Sequence, residues 1–171
     1  MQMHRTLCFA LVLSLAAACG EHKVSNVERS TVPEHFYLAQ APAGAIDVTS
    51  AHASTKDGDP VVLRGAIGGS EEPFVEGLSA FTIVDLSLEN TCLTNDKDHC
   101  ETPWDYCCVD PASLAKGSAT VELVENGELL KTTARQFHGL DHLAKVVVQG
   151  TAKRDAQGNL TVLATGVHRL P

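Results

Sequence analysis

The chain has little with which to grip a nucleic acid or cross a bilayer. Aromatic residues make up 5% of its 171 positions, and Lys plus Arg number 13 against 21 Asp plus Glu, for a net charge of −8. Phosphate backbones are held mainly by Lys and Arg, so a chain this acidic is expected to bind no nucleic acid. Trp104 and Tyr106 lie close together among the aromatics that could stack bases, but they sit among carboxylates. Beyond the N-terminus no apolar run approaches the ~20 residues of a membrane helix. Helical periodicity over ten or more residues is also missing there. No Ser-His-Asp order, phosphate-cradling glycine loop or H-E-x-x-H pattern is present, so the chain reads as a non-enzyme.

What is present begins with the N-terminus, "MQMHRTLCFALVLSLAAACGEHK". One positive residue, Arg5, precedes an apolar run from Leu7 to Leu15 and then small residues, the pattern of a secretory signal over residues 1–18. Its removal leaves a net charge one unit more negative. "LAAAC" also resembles the bacterial lipobox, which makes Cys19 the candidate for lipidation and membrane attachment, although Leu15 stands four rather than three positions before it. The expected destination is the periplasm or cell envelope. Residues 19–57 read as a tether or surface arm in which "FYLAQ" (36–40) docks and "AIDVTSAHAS" (45–54) adds a strand.

From residue 58 to 171 the pattern is that of one mostly-β domain. "PVVLRGAIGG" (60–69) is β-rich and ends in glycines, and "SAFTIVDLSL" (79–88) follows. "SATVELVENGELLKTT" (118–133) reads as two strands around Asn126-Gly127, a strong hairpin signal. A short helical turn near 138–143 precedes strands at 144–152 and 160–168, joined by "DAQGN". Val146 and Val148, like Leu160 and Val162, keep the period of two of half-buried strands. Val146 and Val148 should therefore face inward, opposite Lys145 and Val147.

This order resembles the OB-fold in its compact bacterial envelope form, over about residues 60–170. The resemblance implies a five-stranded OB-fold-like barrel with a short helix before strand four and a Cys-rich insertion, residues 88–117, between strands two and three. It places Gly65, Gly68 and Gly69 at bulges of a bent first strand. The strand-four/five ending is similar to haem-chaperone and stress-protein OB domains, but the haem-binding histidine has no counterpart, so that activity is not carried over. "TPWDYCC" (102–108) further resembles uncharacterised exported planctomycete-type proteins and implies no function.

The insertion contains the densest chemistry. "TCLTNDKDHCETPWDYCC" (91–108) holds Cys92, Cys100, Cys107 and Cys108, together with His99, Trp104, Tyr106 and four Asp or Glu residues. In an exported chain four cysteines imply two disulfides, here Cys92 and Cys100 joined to Cys107 and Cys108 in either order. A loop of about 15 residues closed in this way gains about 3 kcal/mol in the chain-entropy account. The alternative is a metal-handling or thiol-redox loop in which the four thiolates, or three with His99, hold zinc or copper. Against it stand the spacing C-x7-C-x6-C-C and the absence of a C-x-x-C pair. On the disulfide reading no cofactor is expected.

Trp104 and Tyr106 read as the insertion's own small core, with an aromatic ligand rim completed by His99 as the functional alternative. His138 and His142 have the i, i+4 spacing that puts two imidazoles on one helical face. Asp85 and Asp141 read as turn or cap acceptors. The expectation is thus a non-catalytic exported binding module for a small molecule, peptide or protein.

Overall fold

The computed structural model of the chain describes residues 31–95, 97 and 99–171. The expected signal sequence 1–18 and the lipidation candidate Cys19 lie outside the described residues, as do Asp96 and Asp98. The strands are β1 (Ile46–Asp47), β2 (Pro60–Ile67), β3 (Ala80–Val84), β4 (Ser118–Glu125), β5 (Glu128–Leu129), β6 (Lys145–Arg154) and β7 (Leu160–Arg169). The helices are short: α1 (Val48–Ser54), α2 (Thr91–Thr94) and α3 (Pro111–Lys116). No helix among the described residues is long and apolar enough to cross a membrane.

Five strands close a barrel in the order β2-β3-β4-β7-β6, with β6 returning to β2. All its pairings are antiparallel except β4 with β7. This is the OB-fold-like barrel that the strand order implies. Strand β2 makes closure possible by serving two partners. It pairs with β6 from Pro60 to Ala66 and with β3 through Ala66 and Ile67. At the crossover a side chain on Gly65 would place its Cβ 2.7 Å from the Val84 carbonyl oxygen, so only glycine lets the two backbones approach. The Asn126-Gly127 turn has positive φ at both positions, 53° and 83°, which matches the right-handed twist of a tight hairpin.

Alternation along the strands fills the interior. Leu63, Ile67, Phe81, Ile83, Val121, Leu123, Val146, Val148, Leu160 and Val162 form one buried cluster. Val147 is buried outside that cluster and Lys145 is exposed, so the expected facing of this strand holds. Burying each such side chain is worth about 1.5–3 kcal/mol, which makes this cluster the main source of stability.

The arm expected over 19–57 belongs, from residue 32 onward, to the body of the domain. Val32, Phe36, Val48 and Ala51 are buried in the barrel cluster, and Leu38 N–H donates to the Val167 carbonyl at 2.9 Å. Isolated apolar anchors in a polar stretch carry no periodicity, which is why the segment reads as an arm. The strand expected at 45–54 is also corrected. Only Ile46 and Asp47 pair, in parallel with β2, and the chain then turns into α1.

A seven-residue helix is marginal alone, and the barrel holds α1 at both ends. Its N-cap residue Asp47 is committed to Arg64, at 2.6 and 3.0 Å, and makes no side-chain cap. Asp85, at the end of β3, supplies the acceptor instead: its Oδ2 receives the Thr49 N–H at 2.8 Å, while Oδ1 receives the N–H and hydroxyl of Ser87. At the other end the Arg154 guanidinium donates to the carbonyls of Ala51, His52 and Thr55. Anion at the N-terminus and cation at the C-terminus both suit the helix dipole.

The helix expected near 138–143 is a single 3-10 turn, Phe137–Gly139. His138, Gly139 and Leu143 all have positive φ, and an α-helix cannot pass through them. His138 and His142 consequently share no helical face. The His138 imidazole bonds Glu34 at 2.7 Å and stacks on Tyr37, whereas His142 stacks on Trp104. Asp141 is the turn acceptor expected, taking bonds from Arg135, Gln136 and the His142 N–H.

Asp85 gives this account a measurable consequence. Burial opposes its charge, but the bonds from Thr49 and Ser87 outweigh burial and hold its carboxyl below the ordinary range. A depressed carboxylate contributes stability that is whole above the unfolded pKa of about 3.9 and is lost as pH falls through the folded value. Asp85→Asn should therefore cost about 1–3 kcal/mol at neutral pH. The gap to wild type should close below about pH 3.9, as read from urea unfolding across pH.

Candidate functional site

The insertion between β3 and β4 is a folded rim loop with a small core of its own. After Asp85 the chain runs to Asn90, whose side-chain amide donates to the Pro103 carbonyl and ties the start of the loop to its far side. The single turn α2 carries Cys92. Further on, Asp105 closes a tight turn by accepting from the Thr102 hydroxyl and from the Cys107 N–H, both at 2.8 Å. Asp110 caps α3 through the Ser113 N–H, with Pro111 in the first turn.

Tyr106 is the pivot. Its φ of 57° is unusual for a residue with a side chain. That turn sends the tyrosine ring inward, 5% exposed, against Ala66 and Val84 with Leu88, Val109, Leu114 and Leu143 around it. The next two residues, Cys107 and Cys108, are exposed. The loop is also joined to β2. Gly69 N–H donates to the Trp104 carbonyl at 2.8 Å, and the indole N–H of Trp104 donates to the Glu71 carbonyl at 2.9 Å.

These constraints bring together cysteines that are far apart in sequence. Cys92 Sγ lies 4.0 Å from Cys107 Sγ and 3.7 Å from Cys108 Sγ, and the last two are 3.8 Å apart. A disulfide needs about 2.05 Å. The structure does not show the expected disulfides: none of the four loop cysteines is bonded to another, and three of their sulfurs form a nearly equilateral triangle. Cys100 is a close neighbour of Cys92 and Cys107, and groups with Cys107 and an Asp105 oxygen within 4.8 Å. Neither of the two ligand groups among the described residues includes His99. Adjacent cysteines looked unpromising as joint ligands from sequence. The turn at Tyr106 and the anchored Cys107 N–H set both sulfurs on one side.

The triangle has the dimensions of a metal–thiolate face. In a tetrahedral site with metal–sulfur bonds of about 2.3 Å, sulfur–sulfur edges are about 3.8 Å. The circle through the three sulfurs has a radius of about 2.2 Å, so an ion bonded at about 2.3 Å sits just out of their plane. Without a cation the surroundings favour protonated thiols. The Asp105 carboxylate, then Cys108, push the Cys107 thiol up to about 12, and burial together with the Cys100 thiol raises Cys92. A cation at the centre inverts that preference, because its charge stabilises thiolates outright.

The aromatic rim takes a different form from the one expected. Tyr106 is interior and presents nothing to a ligand, while His99 is exposed. Trp104 is half-buried and stacks on His142, with ring centroids 4.0 Å apart. The His142 Nε2 is buried without a hydrogen-bond partner, and burial lowers the pKa of the ring, which keeps it neutral against the indole. Sequence reasoning missed Asp105 as the carboxylate among the sulfurs. Its signal was the T-x-x-D spacing of Thr102 and Asp105, a turn motif.

No protein-family model matches the chain, and no curated protein matches it. The hypothetical protein ygiW from E. coli resembles it in structure with a TM-score of 0.39 and 14% sequence identity, covering 75% of this chain and 94% of that one. A likeness at that level carries no argument about function, and the barrel assignment rests on the strand pairing itself. The resemblance of "TPWDYCC" to exported planctomycete-type proteins gains no support from these comparisons.

Gly68 offers a direct check on how the loop is seated. A Cβ there would lie 2.5 Å from the Trp104 carbonyl oxygen and 3.1 Å from the Tyr106 ring. Gly68→Ala should unseat residues 102–106 while the barrel persists, since loop and barrel differ in local stability. The emission of Trp104, the single tryptophan, should shift to the red while far-ultraviolet circular dichroism stays close to wild type.

Proposed function

We propose that this chain is a non-catalytic OB-barrel binding module whose ligand is a thiophilic metal ion, zinc(II) or copper(I), held on the rim loop. Cys92, Cys107 and Cys108 form the three-thiolate face, and Cys100 groups instead with Cys107 and Asp105 beside it. The observation that carries the reading is the sulfur triangle, whose edges of 3.7, 3.8 and 4.0 Å match a metal–thiolate face and are longer than a sulfur–sulfur bond. Softness supports the choice of ion, since thiolates favour zinc and copper(I) over calcium or magnesium.

Charge and compartment support it further. The chain carries a net charge of −8, and Glu101 and Asp105 stand within the loop, so a cation is attracted where an anion is repelled. Export is inferred from residues 1–18, and lipidation of Cys19 would tether the module to the envelope. Neighbouring free thiols tend to oxidise in such a compartment, and bound metal would protect them. Two of the cations are already engaged within the fold, Arg154 capping α1 and Arg135 pairing with Asp141.

Metal analysis of protein purified under reducing, anaerobic conditions tests the reading. One ion per chain is expected. Titration with cobalt(II), as a spectroscopic stand-in for zinc, should produce sulfur-to-metal charge-transfer bands. Cys92→Ser, Cys107→Ser and Cys108→Ser should each weaken binding by about tenfold or more, the scale of losing a metal ligand or its direct support. Asp105→Asn should weaken it less. Mass spectrometry showing two disulfides in protein exported by living cells, with no ion bound under any condition, would reject the proposal.

A further inference from the structure

The rim loop is folded by groups other than its sulfurs. Asn90 bonds to Pro103, Trp104 bonds to Gly69 and Glu71, Asp105 closes its own turn, Asp110 caps α3, and Tyr106 packs into the barrel. Structural zinc sites differ in kind: there the ion completes the fold, and the unliganded chain collapses or unfolds. Here the ion would contribute little that these bonds do not already supply. Cys107 and Cys108 are also exposed, and Cys92 and Cys100 are only half-buried, so the ion would sit at the surface of the molecule. Finally, the sulfur triangle is nearly as wide as a three-coordinate site requires. An ion lying just out of its plane leaves one face free for an incoming ligand.

Resting on the metal-binding reading, we infer that the ion is exchangeable cargo rather than a structural staple, passed to or from a thiolate-bearing metal carrier by direct ligand exchange at the Cys107–Cys108 edge. The thiol of the carrier gives up its proton and its sulfur bonds to the ion at the open face. The bond from the ion to Cys108 then breaks, and Cys108 takes up a proton. Repetition at Cys107 and Cys92 completes the transfer. The ion keeps its oxidation state and no electrons move, so no oxidant or reductant is needed.

The test uses the full chain loaded with zinc, after one-to-one loading has been confirmed, so that a failure to bind is read separately from a failure to exchange. Zinc is withdrawn by a small dithiol, and in a parallel arm by an aminocarboxylate chelator at the same free-zinc affinity. Release is followed in both arms by difference absorbance. The expected result is a rate that rises in proportion to dithiol concentration and exceeds that with the carboxylate chelator by about tenfold or more, since a thiolate is the better entering ligand for a soft ion. Trp104 emission and amide-exchange protection at Gly69 and Cys107 should be the same with and without zinc. Equal rates with both acceptors, independent of their concentration, would mean that the ion leaves only when the loop opens, and would overturn the inference. So would a red shift of Trp104 and loss of protection at Gly69 on removing zinc, because the ion would then be holding the loop together.

Discussion

Closure of the barrel through β2 is the constraint on which everything else rests. One strand pairs with β6 from Pro60 to Ala66 and reaches β3 through Ala66 and Ile67, just past Gly65. The close approach at Gly65 needs a residue without a side chain, because the Val84 carbonyl occupies the space a Cβ would take. Once closed, the sheet has one continuous interior, and the alternating apolar residues of five strands meet there. Closure also places Gly68 and Gly69, which follow β2, beside the long connection between β3 and β4. The rim loop is built on that spot.

From there the geometry descends in steps. The Gly69 N–H fixes Trp104, the φ of Tyr106 turns the chain, and the buried tyrosine ring commits the following residues to the outside. Asp105 then holds the Cys107 N–H. Each step is an ordinary hydrogen bond or packing contact worth about 1 kcal/mol or a few. Their combined result is positional: thiols 15 and 16 residues apart in sequence stand at metal–thiolate distances. A rim loop on a rigid barrel suits a binding role, since the scaffold carries the stability and the loop carries the chemistry.

Helix α1 shows the same division of labour. Seven residues cannot sustain a helix in isolation. Asp85 from β3 and Arg154 from β6 supply the caps that its own flanking residues do not, since Asp47 is occupied by Arg64. A segment with the look of a loose arm thereby becomes part of the core through Val48 and Ala51.

The bulges expected at Gly65, Gly68 and Gly69 did not follow, since the register shift among the described pairings is at Gln149/Gly150, but the sequence by itself determined the strands, the Asn126-Gly127 hairpin and the register of Val146 and Val148. Those signals are local: period-two alternation and turn chemistry are written within ten residues of where they act. It also supplied the inventory of the rim loop, four cysteines among carboxylates with one tryptophan. Where those cysteines stand relative to one another was decided by tertiary structure alone. Sulfur separations depend on the sign of φ at Tyr106, the bond from Asn90 to Pro103 and the seat of Trp104 on β2, none of which leaves a periodic trace. The short helical turn expected near 138–143 is present but ends at Gly139, because positive φ at His138, Gly139 and Leu143 is not legible from local periodicity. Local pattern fixes which elements form; contacts between elements fix where side chains end up, and a triangle of thiols is a statement about the second.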